Sequence, residues 1–495
     1  MDFLDPKKKR AYNIRLFIGF VLVGVVLILA TIILALITAG YSYDRKTGTI
    51  IQNGLVFLNS TPVSANISIN GKPSGTTNAR LELPSGNYTF KLTARNYHPW
   101  SNTVSLLGST VQQISYPFLF PTAPVESSPL NFASEPQIVT VSPSRQWILA
   151  SVPGQVGTFS VVTATNLTVA VTTASIPASV LPSEPGANVL SVVQWSTDNQ
   201  HVLLKDTYQG GYNYIMFDWA NPSISFNVNQ TFSTTTFTNI KLVNDSFDSL
   251  YLYNQATQQL LLADVTTKTV TPLLSDVISY WPYGTSQVLY VTPDISSTTE
   301  VDAKLYDSGS VYTLKDLPIG SAYLLNMASY NGNLYIVIGS NSSPYDYVYQ
   351  NVANELKGQP STELPLPYTL LVIDGVPEAA TFSTSARFIA IQSSTQIAIY
   401  DLEAQTHYRY NFSLPLSSGQ LVAWMDGNRL DVVSGSRLYI WDFDGTNMVN
   451  FTAANSDFTP DFNQNYSAVY TTTPLPNSTT GVWELLRTSL VAGKQ

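Results

Sequence analysis

One unit recurs along the last three quarters of the chain, a polar turn running into an apolar strand. The clearest copies are Ser142-Pro143-Ser144-Arg145-Gln146-Trp147-Ile148-Leu149 and Ser196-Thr197-Asp198-Asn199-Gln200-His201-Val202-Leu203-Leu204. Weaker copies lie at Asn244, Gly284, Asn331, Ser385, Asp426 and Asn463. Their spacing averages about 46 residues, the length of one four-stranded propeller blade. A second strand follows each turn, and six of these end in two apolar residues plus Asp: Met216-Phe217-Asp218, Leu262-Ala263-Asp264, Leu305-Tyr306-Asp307, Val372-Ile373-Asp374, Ile399-Tyr400-Asp401 and Ile440-Trp441-Asp442. A sheet this small cannot bury both faces by itself, so the sheets must pack radially and close into a ring. Eight copies, with the first and last atypical, predict a seven- or eight-bladed β-propeller over residues 137–490.

The rest of the chain is organised around a membrane. From Leu16 to Gly40 there is no charged residue, and about 25 apolar positions suffice to cross a ~30 Å hydrocarbon layer. A cleavable signal sequence would carry a shorter apolar run ending in small residues, which Ile37-Thr38-Ala39 matches poorly. Residues 1–15 form a basic tail with Lys7, Lys8, Lys9, Arg10 and Arg15, so the positive-inside rule places the N-terminus in the cytoplasm and the body outside. Tyr41 and Tyr43 suit the interfacial aromatic belt. The first 46 residues are net +4 in a chain of net charge −9, which leaves −13 on the remainder. Such an acidic body cannot neutralise a phosphate backbone, and nucleic-acid binding is excluded on that ground. The absence of cysteine excludes a disulfide scaffold, a thiolate metal site and a Cys nucleophile.

Residues 54–120 alternate as strands do. Ala65, Ile67 and Ile69 fall on one face ahead of Asn70-Gly71, the pair that a type I′ hairpin turn requires. Tyr88, Phe90 and Leu92 alternate with Thr89, Lys91 and Thr93, and a last pair of strands flanks Gly108-Ser109. Gly54-Leu55-Val56, Ser60-Thr61-Pro62, Ala65, Ile69-Asn70-Gly71, Gly75-Thr76, Leu83 to Gly86, Asn96-Tyr97 and Trp100 together resemble the PEGA domain. The resemblance implies a small extracytoplasmic β-sandwich without catalytic residues. The segment departs from the family at Pro62-Val63-Ser64-Ala65 and at Thr77. Tyr97 and Trp100, beside His98, could stack on a sugar, or they could simply cover the end of the sandwich. Five prolines between Pro117 and Pro136 mark residues 121–136 as a semi-rigid linker.

Trp195-Ser196-Thr197-Asp198 and its copies are similar to the turns of TolB-like and WD-repeat propellers, and the resemblance implies the architecture only. One repeat carries an insertion. Ser343-Pro344 reads as a helix start and Gly358 as its stop, with Tyr345, Val348, Tyr349, Val352 and Leu356 on one face of a helix over 343–358. Tyr345, Tyr347 and Tyr349 are its candidate partner-binding residues, since tyrosine offers large contact area at low entropic cost. The three histidines, His98, His201 and His407, lack metal-ligand spacing, and Asp442-Phe443-Asp444-Gly445 reads as a strand end and turn. No catalytic motif, metal site or cofactor site is legible. The chain therefore reads as mainly β: a single transmembrane helix, a PEGA-like sandwich and a propeller. Its expected role is a non-enzymatic binding or scaffold protein of the cell envelope, meeting the lipid bilayer through residues 16–40 and envelope proteins or surface glycans through the body. A propeller-based hydrolase, glycosidase or peptidase in type, is the alternative. Two or three carboxylates with an Arg in one deep central pocket would favour it.

Overall fold

The computed structural model describes residues 6–38, 40–44, 48–165, 171–181, 188–357, 364–476 and 481–493. They fall into two units, Met1–Thr122 and Ala123–Gln495. The first opens with the helix Pro6–Thr38, whose stretch Tyr12–Thr38 is long and apolar enough to cross a membrane, with none of the residues in its most apolar window buried within the protein.

Behind the helix, two four-stranded sheets enclose one core. One joins Tyr41–Asp44, Thr49–Leu58, Ala79–Pro84 and Val111–Ile114; the other joins Lys72–Thr76, Asn66–Ile69, Gly86–Thr93 and Trp100–Leu106. Asn70 (φ 49°) and Gly71 (φ 80°) form the expected tight hairpin. The strands around Gly108-Ser109 do not pair with each other as expected. Trp100–Leu106 stays in its own sheet, while Val111–Ile114 crosses over and pairs in parallel with Leu55–Leu58. The crossing is tight enough that a Cβ on Gly54 would lie 2.6 Å from the Leu107 carbonyl oxygen.

Among the described residues, the second unit has eight four-stranded antiparallel sheets in chain order. Sheets 1 to 7 span 139–175, 189–227, 239–274, 279–318, 323–372, 379–411 and 423–453. Sheet 8 comprises Asp461–Phe462, Ala468–Pro474, Trp483–Ser489 and, as its fourth strand, Glu126–Phe132 from the start of the unit. The expected linker is therefore in part a strand. Pro129 is tolerated because this is an edge strand and the proline falls at a register shift opposite Leu485–Arg487, where no N–H is required.

Each sheet packs on the next. Buried clusters join sheets 1 and 2 (Phe159, Phe217), 2 and 3 (Met216, Leu250), 3 and 4 (Tyr251, Val288), 4 and 5 (Leu305, Ile336), and 5 and 6 (Val337, Ile391). Phe388 stacks on Phe443 at 4.2 Å between sheets 6 and 7, and the Thr452 and Thr488 hydroxyls meet at 2.8 Å between 7 and 8. Ile148, Val162, Ala468 and Tyr470 then join the eighth sheet to the first.

The repeated residues hold the turns. The buried Ser142, Ser383 and Asn463 side chains accept the N–H groups of Trp147, Phe388 and Ala468, five residues on. The strand-ending aspartates tie down the next turn: Asp218 accepts from Asn221 at 2.8 Å, Asp264 from Thr267 at 2.7 Å, and Asp401 from Glu403 and Ala404 at 2.9 and 3.1 Å. Asp401 also takes a bidentate pair from Arg387 at 2.9 and 2.7 Å. His201 has the same structural employment, bonded to Asp198 at 2.6 Å and stacked on Phe247 at 3.7 Å.

The helix expected over 343–358 is replaced by a strand, Tyr345–Gln350, followed by one short turn of helix, Val352–Leu356. The apolar spacing fitted both periods, but aromatic and β-branched residues with a partner strand at Tyr335–Gly339 favour the period of two. Residues 358–363 lie outside the described residues. With that strand restored as the third of sheet 5, Val372-Ile373-Asp374 falls at the end of the fourth strand, not the third.

Candidate functional site

Hydrogen bonds link the first strands of neighbouring sheets. Trp195 Nε1 donates to Thr140 Oγ1 (2.9 Å), Leu242 N to Gln194 Oε1 (2.9 Å), Tyr280 OH to Asn239 Oδ1 (3.3 Å), Asn326 Nδ2 to the Ala380 carbonyl (3.0 Å) and Trp424 Nε1 to Thr381 Oγ1 (3.0 Å). Against these strands, in sheets 2 to 5, lies a cavity of about 790 Å³ lined by Gln194, Lys241, Asp245, Trp281, Tyr283 and Asn326, among others. The volume lies within the range of small-molecule sites.

Lys241 is the distinctive group. Its ammonium sits 3.7 Å from the centre of the Trp281 ring and 5.7 Å from that of Tyr280. Among the described residues it forms no ion pair. Burial pushes its pKa down from 10.5 to about 8. The carboxylate of the cavity, Asp245, is occupied by Gln194 Nε2 at 2.6 Å. A partly desolvated cation over an aromatic face, among amides, is equipped to take an anionic ligand with sugar-like hydroxyls.

A second polar cluster lies elsewhere, between sheets 7, 8 and 1. Asp431 and Asp461 are buried, and burial raises their pKa values to about 7 and about 8. The charge of Arg145, itself over the Tyr466 ring at 4.9 Å, pulls both back. Among the described residues, Arg145 Nη1 and Asp431 Oδ1 have no hydrogen-bond partner. This group does not line the Lys241 cavity.

The aromatic residues singled out from sequence are placed differently. Trp100 is 1% exposed and meets Tyr116 edge-on at 5.7 Å, while Tyr97 is half-buried against the same core. Tyr349 is buried, its hydroxyl donating to the Leu314 carbonyl at 3.2 Å; Tyr347 is half-buried beneath Lys315, whose ammonium lies 5.2 Å from its ring. Of the three insertion tyrosines only Tyr345, 47% exposed, faces solvent, so they do not form one patch. Trp100 and Tyr349 are core residues because each sits on the inward phase of a strand. Gln194, Lys241 and Trp281 carry no sequence signal because they lie on the strand before each repeated turn, whereas the repeat is most visible in the strand after it.

An apolar anchor-type helix, a small sandwich and eight successive four-stranded sheets, four of which line a polar cavity, define the class of protein. Residues 53–119 match the PEGA domain. No curated protein matches the chain. Among solved structures, the chain is similar to dihydro-heme d1 dehydrogenase NirN in complex with DHE (13% identity, TM-score 0.41, covering 64% of this chain and 66% of that one). It is also similar to Kluyveromyces lactis Hsv2 (13% identity, TM-score 0.35, 60% and 97%) and to oligogalacturonate lyase in complex with manganese (8% identity, TM-score 0.37, 73% and 98%). The chain thus spans about two thirds of the length of the NirN chain.

Proposed function

We propose that this chain is a membrane-anchored, extracytoplasmic binding protein of the cell envelope, without enzymatic activity. Its eight sheets form a closed eight-bladed β-propeller, and the channel cavity around Lys241 captures acid-bearing surface glycans. The N-terminal tail lies in the cytoplasm and the PEGA domain sits next to the bilayer. The observation that carries this reading is Lys241, held over Trp281 in a cavity of about 790 Å³ with no carboxylate partner among the described residues. In a net-acidic body a desolvated cation of this kind costs stability, and an anionic ligand recovers it.

The hydrolase reading needs paired carboxylates facing a substrate. The cavity offers Asp245, already bonded to Gln194, while Asp431 and Asp461 are enclosed between sheets. The binding reading is therefore favoured.

Full-length protein in detergent, tested on immobilised uronate-bearing and neutral oligosaccharides, is expected to retain the acidic set. Lys241→Met keeps the fold and melts no lower, because it removes a buried charge, yet weakens retention at least tenfold, about 1.4 kcal/mol. Equal retention by the wild type and Lys241→Met would place the ligand elsewhere.

A further inference from the structure

The end of the apolar helix is bonded to one corner of the PEGA unit. Gly40, at φ 79°, donates to the Ile37 carbonyl at 3.0 Å. The Gly40 carbonyl accepts the Asn53 N–H at 2.8 Å, and the Asn53 carbonyl accepts the Ser109 N–H at 2.9 Å. Gln52 Nε2 donates to the Ser109 hydroxyl, and a Cβ on Gly40 would lie 3.5 Å from Ser109 Oγ. The loop that follows Leu106 therefore lies against the helix exit. Leu107 is 65% exposed and Val111 64%, and no charged residue occurs between them. The loop is not free to fold these side chains away. Thr110 Oγ1 donates to the Leu107 carbonyl at 2.7 Å, and that carbonyl packs over Gly54, where no side chain larger than hydrogen fits.

Length fixes the depth of this corner. Tyr12–Thr38 has 27 residues, about 40 Å of helix against a hydrocarbon layer of about 30 Å. The helix end thus falls in the interfacial layer, and the groups hydrogen-bonded next to Gly40 lie beside it.

We infer that the loop Leu107–Val111 is a second membrane contact, with Leu107 and Val111 embedded in the interfacial layer of a phospholipid bilayer beside the helix exit. The PEGA unit is then held to the membrane surface at two points. The inference rests on the reading of the helix as a membrane span, and the test separates the two.

Because the chain has no cysteine, single variants take one probe each. Full-length Leu107→Cys, Val111→Cys, Val63→Cys and Leu27→Cys are labelled with an environment-sensitive fluorophore and reconstituted in phosphatidylcholine vesicles carrying an acyl-chain quencher. Leu27 is in the helix; Val63 is as exposed as Leu107 (65%) but lies beyond Leu58, the opposite end of the strand that begins at Thr49. Quenching at Leu107 and Val111 several-fold above that at Val63 is the expected result. Quenching at both equal to that at Val63, with Leu27 strongly quenched, overturns the loop contact and leaves the anchor standing. An unquenched Leu27 overturns both.

Discussion

Between about pH 4 and about pH 8 the sheet unit is expected to lose several kcal/mol of stability, and Asp346→Ala is expected to remove a large share of that loss. Asp346 lies on the third strand of sheet 5 with 0% exposure, and neither carboxyl oxygen has a hydrogen-bond partner among the described residues. It occupies space left by Gly339 across the strand pair, where a Cβ would lie 1.8 Å from Oδ1. Leu371 is its register partner on the next strand, and burial alone raises its pKa, to about 8. In the unfolded chain the carboxyl titrates near 3.9. Between those two values the folded state keeps a proton that the unfolded state releases, so rising pH favours unfolding by about 1.4 kcal/mol per pH unit per group. Below the window both states are protonated, and above it both are ionised. Asp461 and Asp431, raised to about 8 and about 7, act in the same direction. Urea unfolding followed across this range should show the wild type falling more steeply than Asp346→Ala, with the variant overtaking it at alkaline pH. Parallel curves would mean that Asp346 is ionised and solvated.

Replacing Glu126–Phe132 with a Gly-Ser segment of equal length is the second large effect. The strand completes sheet 8, and Phe132 (4% exposed) packs in the cluster that joins sheets 8 and 1. Losing a buried phenylalanine alone costs roughly 3–5 kcal/mol. Losing the strand also bares the Trp483–Ser489 edge, a template for intermolecular pairing. The variant should melt well below the wild type and scatter light as it does so. An unchanged melting curve would show that the first and last sheets are held together without this strand.

Both effects turn on residues whose importance is hard to read from sequence, and the reason is distance. The repeated turns were legible because Ser142, Ser383 and Asn463 act within five residues of themselves. The Asn70-Gly71 hairpin was legible for the same reason. The strand Glu126–Phe132 was not, because its partner lies some 350 residues further along the chain and its proline suggests a linker. The strand Tyr345–Gln350 reads as a helix in sequence because its apolar residues satisfy both periods until the neighbouring strand decides between them. The cavity around Lys241 draws on sheets 2 to 5, so no local pattern announces it.

The reactivity of Lys241 tests most directly whether that cavity is the binding site. With its pKa pushed down to about 8, the Lys241 amine should be acylated ahead of the other lysines near neutral pH, read by mass spectrometry on the full-length protein. Uronate-bearing oligosaccharide should slow that reaction several-fold, leaving Lys268 unaffected, whereas neutral oligosaccharide should not. Acylation of Lys241 at the pace of Lys268, unchanged by either sugar, would contradict the assignment of the cavity as the binding site.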